Sequence, residues 1–90
     1  MMKMIPNYDQ MAYEKVILEL LNEKPHTTKE LRTKIIAWDG EIYFAQSFLY
    51  RKGYITMIKQ ERKFPYTITE KGVIYLTQLN TMSLFEVQII

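Results

Sequence analysis

Residues 49–72 read LYRKGYITMIKQERKFPYTITEKG, and three kinds of local structure follow one another along them. A helical end, Leu49-Tyr50-Arg51-Lys52, stops at Gly53, which can take the left-handed conformation that closes a helix. Tyr54 to Ile58 and Phe64 to Ile68 have the β-branched and aromatic composition of strands, with Pro65 tolerable only near a sheet edge. Between them Lys59-Gln60-Glu61-Arg62-Lys63 is polar, basic and of a usual hairpin length. Thr69-Glu70-Lys71-Gly72 then opens another helix, with Thr69 as its cap. The order is helix, basic hairpin, helix.

Upstream, Asp9 is expected to cap a first helix. Met11, Ala12, Val16, Ile17, Leu20 and Leu21 recur in it at three- and four-residue spacing. Glu14, Lys15, Glu19, Asn22 and Glu23 form its solvated face, and the helix ends before Pro25. Thr27 with Glu30 three residues on is a capping box that starts a second helix, with Leu31 and Ile35 inward. Ala37-Trp38-Asp39-Gly40 breaks the pattern, with Trp38 expected to plug the core between the second and third helices. Asp39 is the expected cap of a third helix running to about Lys52, with Ile42, Ala45 and Leu49 on one stripe. Helices two and three make a helix-turn-helix. In the fourth helix Val73, Leu76, Leu79 and Met82 face inward or toward a partner. Residues 1–8 read as an arm and residues 83–90 as an apolar tail.

Bulk properties narrow the class. Ninety residues with 48% hydrophobic content make one folded domain. No cysteine and one histidine argue against disulfides and zinc. No apolar run approaches 18 residues and no leader is evident, so no membrane partner is expected and the expected location is the cytoplasm. The net charge is only +2, but it is unevenly spread. Residues 29–63 hold eight bases against four acids, while the rest of the chain has more acids than bases. A basic half suits a phosphate backbone.

"TTKEL" from Thr27, the stripe Ile42, Ala45, Leu49, "KGYI" from Lys52 and "YTITEKG" from Tyr66 together resemble the winged-helix regulators of the PadR and MarR type. They are also similar to small winged-helix proteins of archaeal viruses and plasmids. The resemblance spans about residues 9–82. It implies an α+β winged helix-turn-helix: a three-helix core, a two-stranded β-hairpin wing and a C-terminal helix. It also implies DNA binding as a dimer, with the third helix in the major groove. Two features depart from the pattern. Gln46 stands where an apolar residue is usual, seven positions before the glycine. The third helix is also unusually aromatic, with Tyr43, Phe44, Phe48 and Tyr50. Either the helix is rotated, or Phe44 and Phe48 widen its buried face.

The candidate contacts follow from side-chain chemistry. On the third helix Tyr43, Gln46, Ser47, Tyr50 and Arg51 lie away from the stripe. Glutamine can pair with adenine and arginine with guanine. Serine suits a base or a phosphate, and tyrosine a phosphate or a thymine methyl. Lys59, Arg62 and Lys63 suit a wing on flanking DNA, or a charged edge that blocks sheet pairing. Thr28, Lys29 and Arg32 begin the second helix, where phosphates are often held. His26 reads as a solvated loop residue. No nucleophile–base pair, carboxylate pair or phosphate-binding glycine loop is present, so neither an enzyme nor a cofactor is expected.

Exposing Leu84, Phe85, Val87, Ile89 and Ile90 together would make a large apolar patch, which assigns the first helix, the fourth helix and the tail to a homodimer interface. The reading is a homodimeric, sequence-specific binder of double-stranded DNA, a transcriptional regulator. The alternatives are an architectural or plasmid-partition adaptor that spreads along DNA, and a winged helix that binds only protein.

Overall fold

The computed structural model describes residues 8–82, 84, 87, 89 and 90, with side chains from residue 10 onward. Four helices and a hairpin follow in order: α1 (Tyr8–Glu23), α2 (Thr28–Lys34), α3 (Asp39–Arg51), β1 (Ile55–Met57), β2 (Tyr66–Ile68) and α4 (Glu70–Asn80). This is a small α+β domain whose arrangement is compatible with a winged helix. Most of the expected arm over residues 1–8, and Phe85 of the tail, lie outside the described residues. Among the described residues no helix is long and apolar enough to cross a membrane.

The central helix α1 packs against α3, α4 and β2. Ala12, Val16, Ile17, Leu18, Leu20 and Leu21 are all buried, a wider set than one amphipathic stripe. Its first residue is Tyr8, so Asp9 lies in the first turn rather than at the cap. Glu14 is the larger departure from expectation. It is buried, not solvated, because α4 covers that side of α1. Its carboxylate accepts hydrogen bonds from Gln10 Nε2 at 2.6 Å and from the Tyr75 hydroxyl at 2.5 Å. Burial raises its pKa above the ordinary value, outweighing the opposing effect of those two bonds.

The helix ends follow from their residues. Thr27 and Glu30 form the expected reciprocal box at α2, at 2.8 and 3.2 Å. At α3 the cap position is Trp38, and Asp39 is already helical. An indole cannot accept a hydrogen bond, so only half of a capping box exists there: Glu41 Oε1 accepts from the Trp38 amide at 3.2 Å. Gly53 has φ +80° and ends α3 in a Schellman turn. Its amide reaches the Tyr50 carbonyl at 3.1 Å, and the Tyr54 amide reaches Leu49 at 2.9 Å.

The hairpin is antiparallel, pairing Ile55 with Ile68, Thr56 with Thr67 and Met57 with Tyr66. Pairing continues outward through Ile58 N–H to the Pro65 carbonyl (2.8 Å) and a Gln60–Lys63 bridge. The tip therefore tightens to a turn over Glu61 and Arg62, with Glu61 at φ 57°. On its other side β2 meets the connection between α1 and α2. His26 and Tyr66 exchange backbone hydrogen bonds at 3.1 and 2.7 Å.

Helix α4 is fastened to the end of α3. The Thr69 amide donates to the Tyr54 carbonyl at 3.0 Å, and its hydroxyl donates to the Gly53 carbonyl at 2.7 Å. Gly72 lies directly on that turn, where a Cβ would stand 2.0 Å from the Tyr54 oxygen. Leu76 and Leu79 are buried, while Val73, Ile74 and Met82 are exposed. The tail returns to α2: Ile89 bridges Ile35, and the Ile90 amide donates to the Lys34 carbonyl at 2.8 Å. Leu84 and Val87 pack on the core. That packing accounts within the chain for part of the apolar tail assigned from sequence to a dimer.

Two outcomes test this packing. Gly72→Ala should destabilise the fold by about 1–3 kcal/mol in urea denaturation, because the methyl meets backbone. Helix propensity alone gives the opposite sign, a gain of about 1 kcal/mol, so a more stable variant would refute the close approach. For Glu14 the folded-state pKa is raised, so the folded state holds the proton more tightly than the unfolded one. The stabilising contribution is therefore full below the ordinary value of 4.5 and is lost as pH rises through the folded value. Glu14→Gln should gain stability relative to the parent between about pH 4 and pH 7. A difference that stays constant over that range would contradict the burial argument.

Candidate nucleic-acid interface

The inward positions of α3 are Ile42, Ala45, Gln46 and Leu49, all buried. Helical spacing turns Tyr43, Phe44, Ser47 and Arg51 the other way. Phe44 is 69% exposed and Tyr43 62%, so neither ring widens the buried face. Phe48 is half-buried, tilted against Tyr54 at 6.4 Å between centroids, with Lys52 Nζ 5.7 Å from its own ring. Ser47 is half-buried, and Arg51 is exposed with its Nε 3.4 Å from the Ser47 carbonyl. Tyr50 is partly exposed and meets Tyr66 edge-on at 5.8 Å, which ties its ring to the hairpin.

Gln46 corrects the sequence-based placement. It is only 4% exposed and extends the Ile42–Ala45–Leu49 stripe. Its Oε1 is buried without a hydrogen-bond partner. A side chain so placed cannot reach a base edge. Trp38 is the second correction. It is 81% exposed rather than a core plug, and stands beside an open recess of about 480 Å³ lined also by Tyr13, Ile36, Ala37 and Glu41. Leu31, Ile35 and Ile42 already fill the space between α2 and α3.

The basic candidates divide into free and engaged. Lys29, Lys59, Arg62 and Lys63 are exposed, and Thr28 is half-buried at the start of α2. Arg32 is exposed, but its Nη1 lies 3.9 Å from Asp39 Oδ2. Lys34 is drawn inward, with Nζ 2.8 Å from His26 Nε2. His26 is buried, not solvated, because its backbone is paired to β2. Its Nδ1 is 2.8 Å from the Lys24 carbonyl, which requires a donor there and leaves Nε2 to accept from Lys34. The sequence offered little sign of this beyond the extended backbone that the Thr27 cap imposes next to it. Glu30 has its pKa lowered, first by the hydrogen bond from the Thr27 amide, with the positive charge of Lys63 adding to it. The backbone pairing of His26 with Tyr66 brings β2 against the residues that precede α2.

Among the described residues no group of three or more histidine and acidic side chains could hold a metal ion. Comparison of the chain with family models, curated proteins and solved structures returned no match.

The orphaned amide gives a direct test. Gln46→Leu removes a buried carbonyl that has no partner, so it should raise stability by about 1 kcal/mol or more. A loss of stability on urea denaturation would mean that the amide is satisfied in solution.

Proposed function

We propose that this chain is a winged-helix protein that binds double-stranded DNA as a homodimer and acts as a transcriptional regulator. In this reading α3 enters the major groove, and the hairpin carrying Lys59, Arg62 and Lys63 lies along the flanking backbone. The observation that carries it is the coupling of α3 to the hairpin. An uncovered helix face bearing Tyr43, Phe44, Ser47 and Arg51 is joined, through the rigid Gly53–Tyr54 turn, to a tight basic tip. Such a pair can engage base edges and phosphates at once. Lys29 and Thr28 at the start of α2 would add backbone contacts, and Arg32 would contribute after exchanging Asp39 for a phosphate.

The dimer is supported by apolar side chains left exposed at Val73 and Ile74 on α4 and at Met82 just beyond its end. One observation favours the adaptor as a second reading. With Gln46 buried, Arg51 is the one α3 candidate left whose side chain can make a bidentate contact with a base, which suits a protein that coats DNA with little preference.

A salt titration tests the reading. A dimer that neutralises about six phosphates should show a slope of log K against log salt near −5, at about −0.9 per phosphate. Arg62→Ala with Lys63→Ala should flatten it by about 0.9 for every phosphate no longer neutralised, without changing sequence preference. A slope near zero in the intact protein removes nucleic acid from the account. Sedimentation should give twice the 10.8 kDa chain mass, and a monomer both free and on DNA removes the dimer.

A further inference from the structure

The polar groups of α3 that could read bases are largely engaged within the protein. Gln46 is buried, and Ser47, with a short side chain, is half-buried. Asp39 lies against Arg32, and Glu41 accepts from the Trp38 amide. The most exposed side chains on the outward face, besides Arg51, are rings, Tyr43 and Phe44, with Trp38 at the preceding cap. Base pairs present donors and acceptors in the major groove, but only one kind of apolar group, the C5-methyl of thymine. An exposed phenyl ring that enters the groove gains most where it also takes that methyl out of water.

We infer that α3 reads DNA chiefly through pyrimidine C5-methyl groups, with Phe44 and Tyr43 as the contacting side chains and Arg51 supplying the hydrogen-bonded contact. This rests on the DNA-binding reading above. The positive charge on the same helix and on the hairpin favours a nucleic acid over an apolar protein surface. Arg51 and Lys52 continue the same helix and its cap, and the hairpin adds Lys59, Arg62 and Lys63, all of which an apolar partner would have to desolvate. Thymine and 5-methylcytosine present the same methyl, so both belong to the ligand class, and an operator rich in thymine on the contacted strand is the natural form.

The test uses labelled 30-base-pair duplexes of alternating dA-dT, the same duplex with deoxyuridine in place of thymidine, and alternating dG-dC with and without 5-methylcytosine. Affinity is read by fluorescence anisotropy with the full chain at low salt. Removing a methyl leaves every donor and acceptor of the major groove in place. The intact protein should bind about fourfold more weakly for each touched methyl that is removed, or roughly fifteenfold for two. It should also regain affinity on methylated dG-dC. Phe44→Ala, a change at a side chain outside the core, should reduce the thymine-over-uracil ratio by about fourfold, and adding Tyr43→Ala should bring the two duplexes to equal affinity. Lys59→Ala should weaken both by one factor and keep their ratio. Equal affinity of the intact protein for thymine and uracil duplexes overturns the inference while DNA binding stands. An undiminished ratio in Phe44→Ala overturns the assignment to that ring. No binding to any of the four duplexes overturns the DNA reading itself, and the inference with it.

Discussion

The turn at Gly53 and Tyr54 is where three parts of the fold are fixed to one another. Its left-handed glycine closes α3, and its two carbonyls receive the Thr69 amide and hydroxyl that start α4. Gly72 presses its bare α-carbon onto the same carbonyl. The Tyr54 ring stacks on Tyr75 at 4.3 Å, and Tyr75 donates to the buried Glu14 on α1. Backbone hydrogen bonds, one steric contact and one aromatic stack thus set the direction in which the hairpin leaves the helix. A side chain at position 72 or a different turn at 53 would re-aim the basic tip relative to the exposed face of α3.

Charge is deployed differently from what a count along the chain suggests. Of the eight bases between residues 29 and 63, Lys34 is turned inward to His26 and Arg32 lies beside Asp39. The contact with His26 joins the connection before α2 to the end of that helix, and the Lys34 carbonyl in turn receives the tail. Lys34 therefore helps to hold structure together, and the exposed positive charge of this stretch is carried mainly by Lys29, Arg51, Lys52 and the hairpin tip. Exposed pairs such as Arg32–Asp39 are worth little in water, so Arg32 can change partner at small cost.

On α3 the same economy shows in the opposite sense. A residue type suited to reading bases, Gln46, is buried, whereas rings that would ordinarily be buried, Phe44 and Tyr43, are left in water. The exposed rings give this face of α3 an apolar surface flanked by the charge of Arg51 and Lys52.

Much of this architecture was legible in the sequence because it depends on local chemistry. Thr27 with Glu30, Gly53, Thr69 and the alternating strands each act over three to five residues, and each gave its element within a residue or two. The stripe Ile42, Ala45, Leu49 was likewise written in the spacing. Tertiary packing alone decided which side chains lie beneath another element. Glu14 is buried because α4 covers it, His26 because β2 pairs with its backbone, and Gln46 because the buried arc of α3 is wider than three residues. Trp38 stays outside because the aliphatic side chains of α2 and α3 already close the space. Periodicity gives the direction of a side chain from its own helix axis. It does not say how far neighbouring elements wrap around that axis, and this extent determined which candidates remain free to touch a ligand.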